Sequence, residues 1–255
     1  MADAPSPYVR EELDARSLHF SMAAIQSRMQ IRRPDVLELE YTRLMMGWLM
    51  FRPQARRLAM IGLGGGSIAK FCYRHLPRTT LTAVEIDPQV IALRELFQVP
   101  RDDPRLRVIE DDGARFVAQT GARFDVLMID AFDAEGMPAA LGTQRFYDDC
   151  ADVLQPDGLL VANLHASHPH RSLYVERIRR SFGAEPLQVL DHDGSNCVVF
   201  AAHGDAIVLA GPVSSRRPTV LADAPWQELR SAFARLASAL ARDQANAIAS
   251  SAMRP

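Results

Sequence analysis

Two carboxylates close the stretch VLMIDAFDAEGMP, residues 126–138: Asp130 follows four apolar residues directly, and Asp133 comes three positions later, ahead of Gly136 and Pro138. One reading is structural, with Asp130 capping a helix and Asp133 turning the chain. The other is chemical, because a carboxylate at the end of a buried strand can take a proton from a reacting group. Three further sites carry residues of the same kind. GLGGGS at 62–67 follows an apolar run and opens a helix-like one, and Gly62, Gly64 and Gly66 form a GxGxG turn that lets the backbone approach a ligand beside free N–H groups. LTAVEID ends in Glu85, 23 positions after Gly62, where an acid can take both hydroxyls of a ribose. EDDGARF places Asp112 to accept from an adenine amino group. Each acid could instead cap the next helix, as Asp87 before Pro88 is expected to do. Their recurrence at successive strand ends points to one nucleoside crevice. Ser67 stands where a dinucleotide fingerprint has its third glycine, so adenosylmethionine or a derivative fits better than a dinucleotide.

The elements that must position these residues follow from hydrophobic periodicity. Strands are expected at 58–63, 81–86, 105–110, 125–130, 158–164 and 196–202, with helix-like stretches IAKFCYRHL, PQVIALRELF, ARFVAQT and TQRFYDDCADVL between them. That order predicts an α/β fold, a doubly wound Rossmann-like sheet with helices on both faces. RSLHFS and AAIQSRMQI predict a small N-terminal β-hairpin, and VLELEYTRLMMGWLMF a helix packed across the sheet, with Pro34-Asp35 between them. Trp226, Leu229, Phe233, Leu236 and Leu240 step along one helical face, as a core contact or a dimer contact would. The expected division is an arm and hairpin over 1–34, a catalytic domain over 35–245 and a frayed Ala/Ser-rich tail over 246–255.

Composition narrows the partners. Lys and Arg total 29 against 31 Asp and Glu, so no broad basic field exists for nucleic acid. The longest apolar run, LMMGWLMF, is too short to span a membrane. Cys72, Cys150 and Cys197 form no ligand pattern and are expected to stay reduced in a cytoplasmic protein. His165, His168 and His170 cluster after a strand end, but they lack a helical i, i+4 pair and a nearby carboxylate, so a polar rim is expected and no metal.

With GLGGGS, VEID, DDG and IDAFD in this order, the chain resembles the spermidine synthase (polyamine aminopropyltransferase) family from about residue 58 to 164 without gaps. Leu141, Phe146-Tyr147 and Gly158 fall where that family keeps leucine, an aromatic pair and glycine. The resemblance implies the adenosylmethionine-dependent methyltransferase type of sheet and a homodimer. It implies an aminopropyl transfer from decarboxylated adenosylmethionine to an amine, releasing methylthioadenosine. Asp130 matches the family's catalytic acid and Asp133 the acid that helps hold the diamine, while Gln26 and Tyr41 match the glutamine and tyrosine flanking the active site. Gly113 completes the DDG element. Two acids suit the reaction: an amine arrives as ammonium without a lone pair, so one carboxylate binds charge and one takes a proton.

Three departures stand out. Gly65 occupies the place of the aspartate that in the family grips the amino end of the donor's tail. LDHDGSN replaces the family's PTYPSG, putting Asp193 where a substrate-binding tyrosine is expected, and Asn163 replaces a glutamine. Intact adenosylmethionine is therefore an alternative donor, with methyl or aminocarboxypropyl transfer to an amine as the alternative reaction. Met60 argues against methyl transfer, since it sits where methyltransferases carry an acid two residues before the first glycine. A non-catalytic nucleoside-binding module is the third reading.

Overall fold

The computed structural model describes residues 6–21, 25–132, 136–203, 207 and 217–252, with side chains to residue 245. The chain runs through β1 (Tyr8–Glu12), β2 (Ala15–His19), β3 (Ser27–Gln30), α1 (Glu40–Met45), α2 (Trp48–Phe51), β4 (Arg57–Ile61), α3 (Ser67–His75), β5 (Thr80–Glu85) and α4 (Pro88–Ala92). It continues through β6 (Leu106–Glu110), α5 (Gly113–Gln119), β7 (Phe124–Ile129), a 3₁₀ turn (Ala139–Gly142) and α6 (Gln144–Asp152). Last come β8 (Leu154–His165), α7 (Arg171–Phe182), β9 (Leu187–Leu190), β10 (Asn196–Ala202) and α8 (Asp223–Ala252).

Seven strands form one sheet in the order β6-β5-β4-β7-β8-β10-β9. The strands from β6 to β8 are parallel, and β10 runs antiparallel between β8 and β9. Strand order reverses between β4 and β7, so a crevice opens beyond their carboxyl ends. Alternation along the strands builds two cores. Leu58 and Met60 of β4 and Val126 and Met128 of β7 face one layer with α3 and α8. Ala59, Ile61, Leu127 and Ile129 face the other with α5, α6 and α7. Three helices start on side-chain caps: Asp87 accepts from Gln89 N–H, Asp112 from Arg115 N–H and Thr143 from Phe146 N–H.

The doubly wound expectation holds, with additions. The N-terminal segment is a three-stranded antiparallel sheet rather than a hairpin alone, because Tyr8–Glu12 pairs with β2. The single helix expected from VLELEYTRLMMGWLMF is broken into α1 and α2 around Gly47. A Cβ there would lie 2.5 Å from Leu236 Cδ2 on α8, so the break lets α8 pack closely. The Leu229, Phe233, Leu236, Leu240 stripe is core, with Trp226 edge-on to Phe233 at 5.6 Å. α8 continues to Ala252, into the segment expected to fray. Strand β9 and helix α7 were not foreseen. All three cysteines are buried and unpaired, and among the described residues no helix is long and apolar enough to cross a membrane.

Candidate active site

A cavity of about 1360 Å³ runs along the carboxyl ends of β5, β4, β7 and β8, continues past the end of β9 and the start of β10, and is roofed by β3 and α1. Its floor begins at β5. Glu85 is buried there, and its carboxylate accepts from Leu63 N–H at 2.8 Å and Asp87 N–H at 3.1 Å. These bonds fix the head of Glu85 against the glycine turn while leaving lone pairs toward the cavity. Next to it Ile86, 63% exposed, offers a flat apolar wall.

The glycine turn is shaped by what it touches. Gly62 has φ +91°, and a Cβ on it would lie 2.1 Å from the Asp130 carbonyl oxygen. Only glycine lets the ends of β4 and β7 close to this distance. Gly62 N–H donates to Val84 C=O at 2.8 Å and Asp130 N–H to Ile61 C=O at 2.9 Å, so the two loops are registered by the sheet itself.

Asp130 projects from the end of β7 into the middle of the cavity. Asn163, from β8, donates its amide to Asp130 Oδ1 at 3.1 Å, and the Tyr41 phenol donates to the same carboxylate from α1. Burial pushes the Asp130 acid up to about 6, against the pull of those two hydrogen bonds in the other direction. The Tyr41 phenol is itself raised by burial first and by Asp130 second, so it stays a donor. Asn163 is 2% exposed, and its Oδ1 has no hydrogen-bond partner among the described residues. A buried amide oxygen left open beside a carboxylate is an acceptor waiting for a donor from a ligand.

Beyond Asn163 the cavity continues past His165 to Asp191, Asp193, Ser195 and Asn196. His165 stacks on Phe132 at 4.2 Å, and burial followed by the neighbouring His168 lowers its pKa. Asp193 accepts from Ser195 N–H and Oγ, at 2.9 and 2.6 Å. Glu40 closes this end, accepting from His192 N–H at 3.1 Å and pairing with Arg235.

Of the residues singled out from sequence, Gln26, Tyr41, Gly62, Gly64, Glu85 and Asp130 line this one cavity. Asp133 lies outside the described residues. Gly65, Gly66, Asp112 and Gly113 are not in the wall: Gly66 packs on Val99, Gly113 packs α5 against Ile61, and Asp112 caps α5 through Oδ1. Asp193 lines the cavity, as does His165, whereas outside it His168 stacks on Tyr174 and His170 lies tilted against the same ring. No group of three metal-ligating side chains occurs among the described residues. Ser27, Glu40, Ile86 and Asp191 went unnoticed. An exposed apolar residue directly after a strand-end acid was the available signal for Ile86; the other three are brought in by tertiary packing alone.

Residues 38–184 match a family model described as spermine/spermidine synthase domain. The polyamine aminopropyltransferase of Neisseria meningitidis serogroup A is 37% identical over 199 residues, covering 77% of this chain and 76% of that protein. The polyamine aminopropyltransferase of Chromobacterium violaceum is 34% identical over 207 residues, covering 81% and 76%. A probable spermidine synthase from Corynebacterium glutamicum superposes with a TM-score of 0.67 at 22% identity, over 77% of this chain and 76% of that one, a likeness of fold.

Proposed function

The chain belongs to the spermine/spermidine synthase family, and from that premise we propose that it transfers an aminopropyl group from decarboxylated adenosylmethionine to a polyamine or related amine, releasing methylthioadenosine. The observation that carries this reading is the charge of the cavity. Among the described residues its wall holds Glu40, Glu85, Asp87, Asp130, Asp191 and Asp193, and no lysine or arginine. Such a channel favours a sulfonium donor and an acceptor that arrives as a polycation.

Strand spacing of about 4.8 Å divides the channel into stations. The nucleoside rests at β5 and β4, with Glu85 on the ribose hydroxyls and Ile86 against the base. Transfer takes place at β7, where Asp130 stands, and the acceptor extends over β8 toward β10, roughly 10 Å further on. Asp130 takes a proton from the acceptor's ammonium, and Tyr41 and Asn163 hold the carboxylate in place. The amine's freed lone pair attacks the methylene carbon beside the sulfonium, the carbon–sulfur bond breaks, and its electron pair leaves on the sulfur of methylthioadenosine. A carboxylate whose pKa is raised to about 6 is a stronger proton acceptor than an ordinary one and is still ionised at pH 7. Holding donor and acceptor in line supplies much of the rate. Asp133 is assigned by family resemblance to the acceptor's ammonium. The same reading has the enzyme in the cytoplasm, which three buried free cysteines support, and without a nucleic acid partner, which a formal net charge of -2 supports; the homodimer rests on family resemblance.

Methylthioadenosine release from decarboxylated donor plus amine tests the assignment. Asp130→Asn should lose turnover by a factor of about 10² or more while donor affinity is kept, because the amide retains shape but takes no proton. Retention of most of the turnover would remove Asp130 as the proton acceptor.

A further inference from the structure

Position 65 is glycine, and the space its side chain would fill is already taken. A Cβ on Gly65 would lie 2.6 Å from Ser27 Oγ and 2.9 Å from Phe97 Cδ1. Ser27 reaches this place from β3, across the roof of the cavity. Its hydroxyl pairs with that of Ser67, the first residue of α3, at 3.3 Å. Both serines are more than nine-tenths buried, yet both line the cavity beside Gly64 and Gln26. Together these four residues form an uncharged polar stretch of the cavity wall on the glycine-turn side of Asp130.

This stretch has a natural occupant once the proposed reaction is accepted, on which the inference rests. With the nucleoside over β5 and β4 and the acceptor along β8, the donor's three-carbon chain must turn away from the acceptor arm. The neutral wall by the glycine turn is where it then lies. From these positions we infer that Ser27, supported by Ser67, binds the terminal ammonium of the donor's aminopropyl chain, doing from β3 what a side chain at position 65 cannot. A hydroxyl that donates to its serine partner keeps lone pairs to accept from an ammonium. The pair brings no charge of its own, so its contact with the ammonium is weaker than a carboxylate would make. Restoring an aspartate at 65 would have to displace Ser27 and crowd Phe97.

Calorimetric titration separates the outcomes. Wild type, Ser27→Ala and Ser67→Ala are each titrated with decarboxylated adenosylmethionine and with methylthioadenosine, which shares the nucleoside but lacks the aminopropyl chain. Ser27→Ala is expected to weaken the decarboxylated donor about tenfold or more, the loss of one hydrogen bond to a charged group, with methylthioadenosine unchanged. Ser67→Ala should show a smaller loss of the same kind. Unchanged donor affinity in Ser27→Ala would overturn the inference, as would an equal loss for both ligands, which would mean that Ser27 only props the glycine turn. Failure of wild type to bind methylthioadenosine at all would remove the nucleoside site itself, and the inference with it.

Discussion

Asp130, the proposed proton acceptor, has neighbours that pull its acidity in opposite directions. Burial raises its pKa to about 6, while the Asn163 amide and Tyr41 phenol stabilise the charged form. The free enzyme's kcat/KM should therefore fall on the acid side with a limb near pH 6, as the carboxylate is protonated and can no longer accept. Removing a group that stabilises the anion must raise the pKa further. In Asn163→Ala the limb should move to higher pH, read from the kcat/KM profile; a limb that stays put or moves down would mean that Asn163 does not act on Asp130. Asp130 was legible in the sequence because an acid directly after four apolar residues is conspicuous. Asn163 was visible only as a departure from a family pattern, since its open Oδ1 depends on side-chain orientation. Ser27 carried no signal, because nothing in a short strand marks one hydroxyl as facing a turn forty residues on.

Each catalytic group is aimed by an element whose formation the sequence explains. The β4 and β7 runs alternate between two cores, and a shift of one residue would turn every side chain to the opposite face, so the register that delivers Gly62 and Asp130 to one crevice is strongly specified. Glu85 belongs to this scale, because its carboxylate also ties β5 to the glycine turn through Leu63 N–H. Methylthioadenosine at 100 times its dissociation constant should raise the melting temperature by roughly 5 to 10 °C. Glu85→Ala should abolish most of that increment, and an unaltered increment would place the ribose elsewhere. Strands buried on both faces were legible from their continuous apolar runs. The short edge strand β9, LQVL, was not, since four residues give too little periodicity. The split of α1 from α2 escaped for another reason: Gly47 inside a helical pattern reads as tolerated until α8 is seen to press on it.

At the scale of the whole molecule, a doubly wound sheet with an antiparallel strand on one flank presents a continuous edge of strand ends, and this chain lines that edge with carboxylates. In the proposed reaction, order along the edge sets order of function, from nucleoside to transfer to acceptor. The parallel part of this arrangement followed from alternating strands and helices in the sequence. The acidic far end did not, because Glu40 and Asp191 are far apart in the chain and line one cavity only when α1 is laid across the carboxyl end of β8 and the amino end of β10. The proposed reaction moves an aminopropyl group to an amine inside this channel. Mass spectrometry of products tests that most directly, with decarboxylated and intact adenosylmethionine offered in parallel against a panel of mono-, di- and triamines. The account predicts methylthioadenosine together with an amine heavier by one aminopropyl unit, formed from the decarboxylated donor and best with acceptors bearing two or more ammonium groups. Methylated amine with adenosylhomocysteine from the intact donor, or no product from either donor, would contradict it.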